Sequence, residues 1–235
     1  MTERNELLHR VVEAYGGAAR WSVIRQIALR VSANGLAFRM KWRAPMIRVP
    51  AQIDAHQPLV RFFPEKRDGL IEVFAGDEVR LERPDGSVVE ARSNPQRFFP
   101  GGRRLLWWDR LDQIYFAGYA RWNYVTFPAL LTRDDIDWQA SGDSTLRGRF
   151  PPGFPTHSQV QEFHVDPQTA LLTQHDYTAS VFGNWAKGAH RVLTHEEVDG
   201  IPFGTRRRVT PRRKNGTPAP FPLLVGIEFE AIGLD

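Results

Sequence analysis

Along most of this chain apolar and polar residues alternate singly, and turn-forming residues interrupt the alternation at short intervals. A period of two places successive side chains on opposite faces of an extended strand. The pattern therefore commits the chain to an antiparallel sheet with one buried face. Ile27, Leu29, Val31 and Ala33 alternate with Ala28, Arg30 and Ser32 before Asn34-Gly35, and Leu36, Phe38, Met40 and Trp42 alternate with Arg39, Lys41 and Arg43 after it. A two-residue turn at Asn34-Gly35 would pair Ala33 with Leu36, Val31 with Phe38, Leu29 with Met40 and Ile27 with Trp42, with the cations on the opposite face. Pro84-Asp85-Gly86, Asp166-Pro167-Gln168, Asp199-Gly200 and Asn215-Gly216 mark four further hairpins. Strands are expected near 22–33, 36–44, 47–62, 69–76, 78–83, 87–92, 144–150, 158–166, 170–180, 189–198, 201–213 and 222–231. The fold class is thus mainly β (α+β), a long meander read as one domain over 1–235, because no linker or change of composition divides it. The Pro-rich pieces at 149–155 and 218–222 are loops or crossings.

Two segments leave this rhythm. Leu7, Leu8, Val11, Val12 and Tyr15 recur at helical spacing behind a Thr2 cap and Glu3, and Gly16-Gly17 ends the run. Its apolar stripe needs a cover, which the sheet supplies. From Arg103 to Pro128, Trp108, Leu111, Tyr115, Tyr119 and Trp122 fall at helical intervals, with Arg110, Gln113, Ala117 and Arg121 on another arc and Gly118 as the place for a break. Three of the seven tryptophans lie here. The aromatics are read either as core packing or as the lining of a cavity between helix and sheet.

Composition limits the chemistry. The 235 residues contain no cysteine, which removes disulfides, thiolate nucleophiles, Cys-ligated metals and lipid attachment to Cys. No apolar run is long enough for a spanning helix and the N-terminal stretch is charged, so a cytoplasmic address is expected. The net charge of +4 is local: no acidic residue falls between Asp199 and Glu228, while Arg206, Arg207, Arg208, Arg212, Arg213 and Lys214 do. This block, 206–214, is read as a solvated basic strand pair or a docking point for an anionic partner. Nucleic acid is not expected, because no reader motif accompanies it. Nucleotide, zinc-hydrolase and nucleophile-elbow motifs are missing, so no cofactor is expected. His9, His56, His157, His164, His175, His190 and His195 show no metal-ligand spacing, and no metal set is assigned.

Register points to the polar groups that face inward. A two-residue turn at Asp199-Gly200 pairs Val198 with Ile201, Glu196 with Phe203, Thr194 with Thr205, Val192 with Arg207 and His190 with Val209. His190, Glu196 and Arg207 then share a mostly apolar face, where they could orient an anionic or hydroxylated head group. A bulge would instead present His195, Arg206 and Arg208. His175 and Tyr177 share a face of another strand and are read as ordinary strand hydrogen bonding, as ligand orientation or as proton transfer, with Asp176 facing away. Tyr119, Asn123 and Tyr124 are polar tips on the aromatic helix.

The helix ending Ala14-Tyr15-Gly16-Gly17, the following Ala18-Ala19-Arg20-Trp21 and Ile24-Arg25-Gln26-Ile27, and the later Phe163-His164-Val165-Asp166-Pro167 through Leu171-Leu172 resemble the LolA/LolB-like lipoprotein-carrier fold over most of the chain. The resemblance implies a strongly curved, incomplete antiparallel β-barrel, helices plugging its open side, and an apolar cavity between them. The absence of cysteine separates this chain from the lipid-anchored members of that fold. A cofactor-free enzyme of violacein biosynthesis shares the fold, so the same cavity can support chemistry. The expected function is binding of a hydrophobic or lipid-like small molecule, with or without an anionic head group. The alternative is a cofactor-independent isomerase, cyclase or hydrolase in the same cavity. The candidate lining comprises Leu29, Val31, Phe38, Met40 and Trp42 from the first hairpin and Tyr115, Tyr119, Trp122 and Tyr124 from the aromatic helix. His175, Tyr177, His190, Glu196 and Arg207 complete it from later strands. No catalytic residue is assigned.

Overall fold

A computed structural model describes residues 3–65 and 68–235, with side chains in the first helix from Glu6 onward. The Thr2 cap and the Glu3 side chain lie outside the described residues. Helix α1 (Glu3–Ala14) and a short α2 (Ala18–Trp21) precede strand β1 (Gln26–Asn34), and α3 (Leu36–Met40) separates it from β2 (Met46–Asp54). Strands β3 (Leu59–Phe62), β4 (Ile71–Ala75), β5 (Glu78–Glu82) and β6 (Val88–Ser93) follow, then α4 (Arg110–Val125) and α5 (Phe127–Leu130). The second run comprises β7 (Asp137–Ala140), β8 (Thr145–Arg149), β9 (Val160–Val165), β10 (Leu172–Thr178), β11 (Lys187–Val198), β12 (Ile201–Pro211) and β13 (Val225–Leu234).

Among the described residues the strands form one antiparallel sheet in the order β6-β5-β4-β3-β2-β1-β13-β12-β11-β10-β9-β8-β7. The first and last strands therefore meet in its middle, and the connection from β6 to β7, which contains α4, runs from one edge to the other. Curvature follows from what α4 touches. Gly118 packs on Phe74 of β4, while the Tyr124 ring lies 4.3 Å from that of His190 on β11. Those strands are six places apart, about 29 Å in a flat sheet, yet the two helix residues are about 9 Å apart. Only a curled sheet brings both to one helix, and every residue from Leu111 to Val125 is buried in its concavity. The sheet does not close: β6 and β7 are its edges.

The first hairpin differs from the expectation. The inward set Ile27, Leu29, Val31 and Ala33 is buried as its alternation requires, but β1 pairs with β2 through Ile27 and Ile53, Leu29 and Ala51, Val31 and Val49, and Ala33 and Met46. Residues 36–40 are helical because the chain after Gly35 is captured by the segment ahead of β13. Leu36 N–H donates to the Leu223 carbonyl and Ala37 N–H to that of Leu224, each at 3.0 Å. Gly35 has φ 131°, and a Cβ there would sit 2.4 Å from the Leu224 carbonyl oxygen, so it serves close backbone approach rather than a two-residue turn. Phe38 is consequently buried, while Met40 and Trp42 are exposed. The 47–62 stretch divides into two strands, and β7 forms where none was expected. The Asp199-Gly200 turn has φ 49° and 73°, which is the expected hairpin geometry.

Helix α4 runs unbroken through Gly118. A Cβ at this position would lie 2.2 Å from Cβ of Phe74, so the glycine permits contact between helix and sheet. Gly118→Ala should lower the free energy of unfolding in urea by about 1–3 kcal/mol or more; an unchanged midpoint and slope would show that the contact is dispensable.

Candidate ligand-binding site

The site is built around α4, whose start is held by an ionic cluster. Asp109 and Asp112 form a reciprocal capping box. The fully buried Asp112 carboxylate accepts from Arg92 Nη1 at 2.6 Å, Arg103 Nη1 at 2.6 Å and Arg104 Nε at 2.7 Å. Arg103 also pairs with Asp109. Burial raises the Asp109 pKa, but hydrogen bonds from Arg92 and the Asp112 N–H outweigh it and hold the carboxyl at about 2.

Further along, α4 meets the concave face of β9–β12 in a buried polar layer. His157, from the loop before β9, stands between two tyrosines: Tyr119 Oη is 3.1 Å from its Nδ1 and Tyr124 Oη 2.6 Å from its Nε2. Tyr124 Oη is also 3.1 Å from Tyr177 Oη, and the His157 ring stacks on Tyr177 at 3.8 Å. His175 Nε2 lies 2.7 Å from Gln161 Oε1, whose amide nitrogen is committed to Thr156 and Ser158; Nε2 therefore carries the proton. Neither ring nitrogen of His190 has a hydrogen-bond partner among the described residues. Burial keeps all three imidazoles neutral, pushing His157 down to about 3 and His175 and His190 well below the ordinary range. The same burial drives the tyrosine hydroxyls upward, Tyr124 to about 12. The chain Tyr119–His157–Tyr124–Tyr177 can be written with either hydrogen-bond polarity. Each leaves one terminal hydroxyl hydrogen, on Tyr177 or on Tyr119, with no acceptor within the chain.

Two guanidiniums complete the layer, and no carboxylate pairs with either among the described residues. Arg121 on α4 reaches only the Ala117 carbonyl at 3.5 Å and the Met46 sulfur at 3.8 Å, and its Nε is without a partner. Arg207 on β12 donates to the carbonyls of Gly204 at 2.8 Å and Tyr124 at 3.1 Å and lies over the Tyr124 and Phe229 rings; its Nη1 is unpartnered. Burial lowers both pKa values to about 10, which leaves both groups charged at neutral pH. Met46, Ala33, Ile227 and Arg207 are successive cross-strand partners, so the two cations flank one row of the sheet about 14 Å long.

Between β2 and the start of α4 lies a cleft of about 350 Å³, walled by Pro45, Met46, Ile47, Val49, Pro50 and Pro64 and reached by Gln113, Arg30 and Glu72. Met46 belongs to both the cleft wall and the Arg121 contact. The segment before it is tied to α4 by Arg43 Nε, which donates to Gln113 Oε1 at 2.8 Å, and by Gln113 Nε2, which donates to the Ala44 carbonyl at 3.3 Å. The space between Phe38, Trp108 and Phe116 is only about 10 Å³, because α4 fills the concavity with its own aromatics.

Of the expected lining, Leu29, Val31, Phe38, Tyr115, Tyr119, Trp122, Tyr124, His175, Tyr177, His190 and Arg207 are buried. Trp122 donates to the Asp54 carbonyl. Met40 and Trp42 lie outside, for the reason given by α3. Glu196 is exposed and accepts from Thr205 Oγ1. The β11–β12 register shifts around Thr194, which pairs with Arg206 instead of Thr205; this turns Glu196 away from Arg207 and His195 toward the Tyr15 hydroxyl. Asp176 faces away from His175 as expected, yet is buried beneath His164 and Arg212. Ligand atoms of Glu162, His164 and Asp176 lie within 4.8 Å of one another, but Arg212 Nη1 sits 3.6 Å from Glu162 and 3.3 Å from Asp176 and supplies the positive charge. Arg206 pairs with Glu228, so the basic block is partly neutralised. Arg121, His157, Gln161 and Met46 were not singled out by pattern.

No protein-family model matches the chain and no curated protein matches it. Among solved structures it is similar to a LolA superfamily protein from Nitrosomonas europaea, with TM-score 0.53 and 12% identity over 99% of this chain and 93% of that one. It also aligns with a DUF1329 family protein from Desulfovibrio piger, TM-score 0.48 and 12% identity over 100% and 94% of the two chains. The protein has the LolA-like fold, a curved antiparallel sheet left open around a helix.

Three neutral buried imidazoles carry a stability consequence. The unfolded chain binds protons at these histidines below about pH 6.5 while the folded one does not, so stability falls as pH drops. The expected slope approaches 1.4 kcal/mol per pH unit for each histidine, continuing toward the folded values, about 3 for His157. Urea unfolding between pH 7 and pH 5 should show this decline. His190→Leu should flatten the decline by one histidine's share, and a stability independent of pH over that window would contradict neutral burial.

Proposed function

We propose that the protein binds a hydrophobic, lipid-like small molecule with an anionic head group, entering by the cleft beside β2 with its head directed to Arg121. The observation that carries this reading is the Arg121 guanidinium: buried, charged, and met among the described residues only by one long carbonyl contact and a thioether. Burying an unpaired charge costs several kcal/mol, and a carboxylate or phosphate from a ligand would offset that cost. Met46 stands between the cleft and Arg121, and its unbranched side chain can move aside without disturbing the strand. A volume of about 350 Å³ is at the lower end of small-molecule sites.

A second reading, a cofactor-independent enzyme, is favoured by the Tyr119–His157–Tyr124–Tyr177 chain, which can pass a proton once an acceptor reaches either end.

Ligand selectivity tests the role assigned to Arg121. A long-chain fatty acid titrated against the alcohol of equal length should quench tryptophan emission with about tenfold or greater preference for the acid. In Arg121→Met that preference should vanish while the ligand-free protein becomes equally or more heat-stable, because an unpaired buried charge has been replaced by an apolar chain. Equal affinity for acid and alcohol in the native protein, or a preference that survives Arg121→Met, would contradict the assignment.

A further inference from the structure

A second feature lies outside the concavity. Trp42 holds a left-handed backbone, φ 56°, a conformation that a bulky aromatic residue adopts only at an energetic cost, and its ring is 83% exposed. Beside it, on the turn before α4, Leu105 is 58%, Leu106 71% and Trp107 45% exposed. The two turns are locked together: Lys41 Nζ donates to the Arg104 and Leu105 carbonyls, both at 2.8 Å, and Trp108 N–H donates to the Lys41 carbonyl at 3.2 Å. Trp42 and Trp107 both line one open recess of about 410 Å³. Four large apolar side chains are thus presented to solvent on a rigid base.

The charge near them that is left without an ionic partner among the described residues is positive. Arg39 and Arg97 are exposed and no carboxylate pairs with either among the described residues. Arg103 lies over the Trp107 ring at 4.3 Å. The nearby acids, Asp109 and Asp112, are already occupied by Arg92, Arg103 and Arg104. Tryptophan and leucine projecting among arginines match the chemistry of a bilayer's interfacial zone, where indoles sit at headgroup level and cations meet anionic lipid.

We propose that this face, formed by the turns at 40–42 and 104–107, docks on the surface of an anionic membrane, inserting Trp42, Leu105, Leu106 and Trp107 at headgroup depth. Arg39 and Arg97 contact the lipid phosphates. This inference is independent of the ligand reading, since a binding cleft requires no membrane.

Flotation with phosphatidylcholine vesicles, with and without phosphatidylglycerol, tests it on the full chain. The protein should float with the anionic vesicles and shift its tryptophan emission to the blue. Trp42→Gly combined with Leu106→Ser should lower partitioning about tenfold or more without lowering the thermal midpoint, because glycine accepts the positive φ and both side chains are exposed. Neutralising Arg39 or Arg97 to Gln should cost about fivefold each, and added salt should weaken binding in the same direction. Failure to float with either vesicle, flotation unchanged in the Trp42/Leu106 variant, or a protein dimer that the variant dissociates in sedimentation would overturn it.

Discussion

The Asp112 carboxylate, buried at the first turn of α4 and shared by three arginines from β6 and the turn that follows it, is the interaction on which the interior depends. The β6–β7 connection has to pass from one sheet edge to the other, and α4 is its rigid part. Fixing the helix start against the β6 side determines where Gly118 meets Phe74 and, within the next two turns, where Arg121 and Tyr124 project. A buried carboxylate with three donors is costly to desolvate, yet breaking such a cluster leaves uncompensated charge and costs more. Position along α4 is thereby held at its start, and the polar layer inherits that register.

That layer combines groups of opposite tendencies. Burial strips the histidines of charge but cannot strip the arginines, whose pKa values stay near 10. The interior therefore holds permanent positive charge among neutral rings. Arg207 is accommodated by two carbonyls and two aromatic faces. Arg121 has far less, and lies next to Met46, which also borders the outer cleft. The asymmetry between the two arginines is what distinguishes a structural cation from one suited to a ligand.

Much of the fold was legible because its signals are local. Alternation identified the buried faces of β1 and β12, and Asp199-Gly200 set its hairpin through turn chemistry alone. The Trp-rich stretch was legible as a helix from spacing. Asn34-Gly35 misled because a distant segment, 223–224, competes for the backbone after Gly35, and no local pattern records that capture. The same limit explains the site. His190, His175, Tyr177 and Arg207 could be placed by strand parity. His157 comes from an irregular loop and has no periodicity to reveal it, while Arg121 belonged to the polar arc of a helix that turned out to be buried on all sides. Glu196 was lost to a register shift at Thr194, a departure that hydroxyl pairing with Thr205 accompanies and alternation does not show.

Native mass spectrometry of protein purified without detergent or organic solvent tests most directly whether the unpaired Arg121 charge anchors an anionic amphiphile. The account predicts a bound species whose mass and fragmentation identify an acid or phosphate with a hydrocarbon body, and its loss in Arg121→Met. A bare polypeptide mass that stays bare after incubation with fatty acids, or a bound species retained by Arg121→Met, would contradict it.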